Sequence, residues 1–341
     1  MAINGSIPGP TIHADWGDHV IVHVTNNLAS AKNGSSIHFH GIRQNYTNPN
    51  DGVVSITQCP TAPGKTTTYK WAGMARRGII LISGCRPGRV STANYDVDKG
   101  SLFLNDWSHR TVDELYDSAQ SSGLPTLDNG LINGTNTGYR FNTSVTAGTS
   151  YRFRLINAAI DTHFKCSIDN HTLTVLAMDF VPIEPFNTTV LSIGMGQRYD
   201  IVVHATQSTG NDSYWMRAIP QEACSDNDSA NNIRGIMYYG NTPSTPPQPH
   251  TPTPTAATTC PSPYLPQSAS LPYFNASEPV TLGTNSENLF RWKMNGTSMQ
   301  VEWDNPTLLQ IWNNDTNFTN SSGVVELPVP TSSVEQEDDG I

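Results

Sequence analysis

Charge is scarce in this chain. Only 14% of its 341 residues are Asp, Glu, Lys or Arg, and 19 bases face 29 acids for a formal net charge of −10. A chain so poor in cations argues against nucleic-acid binding, which wants basic patches. Long hydrophobic runs are missing as well. Nothing in the sequence approaches the roughly eighteen apolar residues of a membrane-spanning helix. The opening Met1-Ala2-Ile3-Asn4 has no apolar stretch of the kind that export signals carry. Five cysteines (Cys59, Cys85, Cys166, Cys224, Cys260) are too few for a disulfide scaffold, and their spacing fits no zinc motif. Their odd number leaves at least one unpaired. Cys224 and Cys260 bracket a Pro-rich loop and are expected to pair.

Turn formers are plentiful. With 26 Gly, 24 Pro and many Thr and Asn, the composition suits an all-β protein. Fourteen Asn-x-Ser/Thr triplets occur, among them Asn45, Asn133, Asn170, Asn187, Asn295 and Asn314. That density points to a secreted glycoprotein. Secreted features without an export signal imply that the chain has lost its beginning.

Along the chain, Pro10–Ala14 and His19–Asn27 read as alternating strands joined by a Gly-Asp turn, with His13, His19 and His23 on polar faces. A strand through Ile37-His38-Phe39-His40-Gly41-Ile42 follows, then Asp51-Gly52, Gln58-Cys59-Pro60, and a strand over Thr66–Trp71, the first half of a Greek-key sandwich. Residues 72–92 break the pattern: four of the thirteen arginines flank one short apolar run, Ile79-Ile80-Leu81-Ile82. This foreign composition reads as a misread exon or shifted frame rather than a functional basic patch. Strand patterns resume at Leu102–Trp107, Asn129–Gly134, Tyr151–Asn157, Leu173–Ala177 and Tyr199–His204, with a short helix over 111–119. They call for a second sandwich, and residues 96–245 should be the best-folded part. Residues 241–273, rich in Pro, Thr and Ser, read as a surface linker. Leu289–Gly296 opens a third β unit, and the chain runs out in an acidic tail.

Histidines at i and i+2 of a strand share one face and can offer two neutral nitrogens to a metal. Around the pair His38/His40 the motifs Asn4–Ile12, Ser36–Gly41, Asp51-Gly52, Gln58-Cys59-Pro60, Tyr151–Asn157, Gly196-Gln197-Arg198-Tyr199-Asp200 and Trp292–Gly296 together resemble the multicopper oxidases, specifically fungal, ascomycete-type laccases. The resemblance implies tandem cupredoxin-like Greek-key β-sandwiches: domain 1 over 1–95, disrupted at 72–92, domain 2 over 96–245, a linker over 246–273, and a truncated domain 3 over 274–341. It also implies a secreted, monomeric, copper-dependent oxidoreductase that oxidises small phenolic or aromatic donors and reduces dioxygen to water, with no nucleic-acid or membrane partner.

Carried over residue by residue, His38 resembles a ligand of the type 2 copper and His40 a ligand of one type 3 copper. Phe39 stands where the family usually shows Trp. Asp51 matches an acid that relays protons near the copper cluster, and Asp161 an acid lining the phenol pocket. Cys224–Cys260 matches a family disulfide, whereas the family partner of Cys59 is absent, leaving that thiol free. His109, His163, His171, His204 and His250 fall outside the ligand motifs and read as structural or exposed. The departures are as informative. Residues 72–92, where a second His-x-His is expected, contain no histidine, and no His-Pro-x-His-x-His or His-Cys-His segment is present. The intact family holds four copper ions. At most one is expected here, so this polypeptide should be unable to reduce dioxygen. The alternative reading is a non-catalytic, secreted β-sandwich glycoprotein with at most a weak copper site.

Overall fold

A computed structural model describes residues 2–14, 18–28, 34–42, 44–71, 95–136, 138–206, 212–243, 245–247, 280–294, 298, 302–315 and 318. Residues 72–92, Cys260 and most of the Pro/Thr-rich stretch lie outside them.

The first sheet is a pair. Strand β1 (Val20–Thr25) runs antiparallel to β2 (Thr66–Trp71), with Val20 opposite Trp71 and Thr25 opposite Thr66. The alternation Val-Ile-Val-His-Val-Thr puts His23 on the polar face, where its Nδ1 lies 2.9 Å from Thr68 Oγ1. The expected strand over Pro10–Ala14 does not form. Pro10 has no N–H to give to a ladder. The segment carrying His38 and His40 is likewise not a ladder strand, which corrects the sequence reading. It is held by other partners: the Ile37 N–H donates to the Tyr69 hydroxyl at 3.1 Å, the Phe39 N–H to the Asp51 carbonyl at 3.2 Å, and Ser36 Oγ to the Gly52 carbonyl at 2.8 Å.

The largest body of strands follows. In chain order they are β3 (Val97–Trp107), β4 (Asn129–Ile132), β5 (Asn142–Val145), β6 (Ser150–Asn157), β7 (Phe164–Ile168) and β8 (Leu173–Met178). Then come β9 (Val181–Thr188), β10 (Leu191–Ile193), β11 (Arg198–His204), β12 (Ser213–Pro220) and β13 (Arg234–Tyr239). Between β3 and β4, helix α1 (Val112–Ser122) starts at a reciprocal capping box, Thr111 with Glu114. The strands form two sheets, β4-β3-β6-β11-β8-β9 and β10-β7-β12-β13-β5. Their apolar faces meet in one core, with Phe153, Leu155, Leu173 and Val203 from the first packing on Phe164, Ile168, Met216 and Met237 from the second. Strands such as β6, β7 and β11 put alternate residues there (Tyr151, Phe153, Leu155; Phe164, Cys166, Ile168; Tyr199, Ile201, Val203), as the period of two requires. An antiparallel hairpin, β14 (Val280–Thr284) with β15 (Phe290–Met294), and a short helix α2 (Thr307–Trp312) follow. The start of α2 docks on the first unit, with the Thr307 and Leu308 N–H groups donating to the Ser55 and Ile56 carbonyls at 3.1 and 2.8 Å. The all-β expectation holds. Among the described residues no helix is long and apolar enough to cross a membrane.

Arg152, Arg154 and Arg217 are buried here beside carboxylate partners. Arg217, 2% exposed, donates from Nε and Nη2 to the two carboxylate oxygens of Asp169 at 2.6 and 2.7 Å. Beside them His171 is buried, its Nδ1 2.8 Å from the Asp169 carbonyl and its Nε2 2.9 Å from the Tyr239 hydroxyl. The carbonyl can only accept, so Nδ1 carries the proton and Nε2 receives the Tyr239 O–H. Asp169→Ala would leave the guanidinium buried without its carboxylate and is expected to lower stability by about 3–5 kcal/mol, measured by urea unfolding; a loss under about 1 kcal/mol would contradict this. Burial holds the His171 pKa below 6.5, against the opposing hydrogen bond and charge of Asp169. Between the lowered value and 6.5 the unfolded chain binds a proton that the folded one refuses, so stability falls as pH drops through that window. His171→Gln should therefore lose less stability than the wild type between about pH 7.5 and about pH 5.5, and equal losses would refute the assignment.

Candidate metal centre

Phe39 sets the phase of the site. It is 6% exposed, and its ring centroid lies 4.2 Å from that of Trp71 and 5.1 Å from that of Tyr69. In an extended segment its neighbours must then point the other way. His38 and His40 accordingly sit together on the open side, ring centroids 5.4 Å apart and planes at 78°.

Each imidazole is held differently. Nδ1 of His38 lies 2.7 Å from the Asp51 carbonyl oxygen and 3.6 Å from the Asp51 carboxylate. Because a carbonyl only accepts, the proton sits on Nδ1 and leaves Nε2 with a free lone pair, the arrangement that orients a metal-binding histidine. Gly52 makes the approach feasible. Its φ is +83°, and a Cβ there would fall 1.8 Å from the Ile37 carbonyl oxygen. The resemblance cast the Asp51 side chain as the important group, yet its main-chain carbonyl makes the closer contact. Among the described residues neither ring nitrogen of His40 has a hydrogen-bond partner. Burial lowers its pKa, helped by the Arg198 charge and by His38 and opposed by Asp179 and Asp51. Two neutral imidazoles suit copper, so the pair fits a share of a copper centre. Among the described residues no three His, Cys, Asp or Glu side chains gather to hold a metal.

Asp161 stands apart from this pair, in the loop after β6, beside His163. That loop is tied down by a buried carboxylate that sequence reading passed over. Asp106, at the end of β3, accepts N–H groups from Ile160, Asp161 and Thr162 at 3.0, 2.8 and 3.0 Å. Burial raises the Asp161 pKa, and Asp106 and then Asp226 add to the rise while His163 opposes it. The available signal was an acid closing an otherwise apolar strand, in Leu102-Phe103-Leu104-Asn105-Asp106. Cys224 is disulfide-bonded; Cys260, its expected partner, lies outside the described residues. Cys59 is free and exposed, and Cys166 is free and buried, its thiol pKa pushed up to about 12 by burial.

Comparison with known proteins adds lineage to this geometry. Two family models, each described as multicopper oxidase, match residues 98–242 and 1–80. The chain is 45% identical to Laccase-1 of Botryotinia fuckeliana, over 97% of the chain and 62% of that protein. It is 35% identical to Laccase-3 of the same fungus, over 94% of the chain and 76% of the relative. Among solved structures, the L499M mutant of the laccase from B. aclada superposes with a TM-score of 0.82 at 40% identity, covering 94% of this chain and 64% of that one. The chain thus spans about 62% and 60% of the length of Laccase-1 and Laccase-2 of Botryotinia fuckeliana.

The three N–H groups on Asp106 make a test of the acid loop. Asp106→Asn removes a neighbouring negative charge and one acceptor, so the Asp161 pKa should fall toward that of an ordinary carboxylate. Carboxyl-carbon NMR titration reads this directly, and an unchanged or higher value would contradict the assignment.

Proposed function

The chain belongs to the multicopper oxidase family, and from that membership we propose a laccase-like lineage function, oxidation of small phenolic or aromatic donors coupled to reduction of dioxygen to water, which these 341 residues by themselves do not perform. One observation carries the reading: His38 and His40 share a face, with Nδ1 of His38 tied to the Asp51 carbonyl so that Nε2 is free to bind. His38 would hold the type 2 copper and His40 one type 3 copper. Copper, when bound, supplies one-electron chemistry and a place for dioxygen to be reduced. The Asp51 carboxylate, 3.6 Å from the His38 ring, is the group that would pass protons to the reduced oxygen. Asp161, its proton affinity raised by burial and by Asp106, would accept the phenolic proton as the electron leaves the donor. The density of glycosylation triplets supports a secreted setting.

A second reading has its own support. The sequence carries a single His-x-His pair, and the described residues gather no third ligand around it. These 341 residues by themselves would then bind at most one copper ion, weakly, as a non-catalytic β-sandwich glycoprotein. Both readings meet in one experiment on this polypeptide. After copper loading it should show no blue thiolate absorbance and no oxygen uptake with a phenolic donor. Blue colour or oxygen consumption would overturn the expectation that these residues alone are inactive.

A further inference from the structure

The turn between β10 and β11 reaches across from the large sandwich to His40. Gly194-Met195-Gly196-Gln197 is braced from within, since the Gly194 N–H donates to Gln197 Oε1 at 2.7 Å and the Gln197 N–H to the Gly194 carbonyl at 3.1 Å. It is also braced from beneath. The Gly196 N–H donates to the Asn157 carbonyl at 2.9 Å, and the Asn157 N–H returns a bond to the Gln197 carbonyl at 3.1 Å. Asn157 is fully buried, and its side-chain amide donates to the Ile193 carbonyl at 3.0 Å. A turn so bonded is a rigid platform.

Two groups on that platform meet His40. Gly196 has a φ of +74°, and a Cβ there would lie 3.0 Å from Cε1 and 3.3 Å from Nε2 of the imidazole, so the ring rests on bare backbone. Arg198, which opens β11, donates from Nη2 to the His40 carbonyl oxygen at 2.7 Å. The residue is 6% exposed, and its guanidinium stacks 4.4 Å from the Phe180 ring centroid. A Cβ on Gly41 would lie 3.0 Å from its Nη1, so the cation fits closely under the turn that follows His40.

His38 takes its ring orientation from the Asp51 carbonyl. The His40 ring, lacking a hydrogen-bond partner among the described residues, must take its orientation from packing. We infer that Gly196 and Arg198 of the second unit are positioning residues for His40, fixing its backbone direction and ring plane for metal binding. The inference rests on the reading of His40 as a copper ligand. Metal–nitrogen bonds are directional, so a ligand histidine gains affinity when groups outside the coordination sphere fix its ring. Arg198 bonds the main-chain carbonyl and leaves the ring free, which suits geometric support. A buried guanidinium also makes a stronger hydrogen bond to that carbonyl than a neutral donor would.

The experiment uses the full chain in four forms: wild type, Arg198→Met, Arg198→Lys and Gly196→Ala, with His40→Ala as reference. Ring signals of nitrogen-15-labelled histidines in the metal-free protein report on His40 without any copper. The His40 signals should shift or broaden in Arg198→Met and Gly196→Ala and partly recover in Arg198→Lys, while those of buried His171 stay put. Copper(II) affinity should fall about 10–100-fold in the first two variants. Unchanged His40 signals and unchanged affinity in the folded variants would overturn the positioning role. Should Arg198→Met fail to fold, Gly196→Ala and Arg198→Lys decide the question. Failure of the copper reading has a separate signature: His40→Ala would bind copper as tightly as the wild type, whatever the ring signals do.

Discussion

Burial of Phe39 against Tyr69 and Trp71 is the constraint on which the candidate centre depends. A single aromatic ring in the first core decides which way its neighbours face, and the pleat turns that choice into two adjacent imidazoles on the open side. Burying such a ring is worth roughly 1.5–3 kcal/mol, enough to fix the phase of a segment that has no ladder partner of its own. The same segment borrows its main-chain bonds from the Tyr69 hydroxyl and the loop at Asp51. Core packing and ligand orientation therefore share residues, and a defect in one would disturb the other.

The second unit supports the candidate centre through Asn157 in particular. Its main chain and side chain brace the turn that meets His40, while its Nδ2 donates to the Thr162 carbonyl at 2.9 Å and its Oδ1 accepts the Ala159 N–H at 2.9 Å in the loop that bears Asp161. One buried amide thus organises both the platform under His40 and the acid loop. Such a residue must be buried and fully bonded to do this, because an unpaired amide in the same place would destabilise the sandwich. The Asp169–Arg217 pair and His171 stabilise the far side of the core, away from the turn and acid loop.

Much of this was legible in the sequence, for identifiable reasons. Strands β2, β6, β8 and β11 announce themselves by alternation or continuous apolar runs between turn residues. The His38/His40 pair was visible because two imidazoles at i and i+2 are rare enough to notice. What escaped depended on chain segments far apart in sequence. Nothing local says that Ile37 will bond a tyrosine hydroxyl 32 residues away, so the segment read as an ordinary strand. Asp106 looked like the end of a strand because its three N–H donors lie more than fifty residues downstream. Arg198 belonged to a recognised run but had no role until the fold brought it under His40, a separation of 158 residues.

The account stands on the claim that one pair of imidazoles, phased by Phe39, is where these residues take copper. Pulsed electron paramagnetic resonance of the copper(II)-loaded chain examines that claim most directly, since it counts coordinating imidazoles. Because the described residues gather no third ligand, the single-site reading applies to them: one ion bound by two imidazole nitrogens is expected, with one nitrogen lost in His38→Ala, one lost in His40→Ala and both lost in the double variant. A copper signal that survives unchanged in the double variant would show that the metal binds elsewhere and would contradict the account.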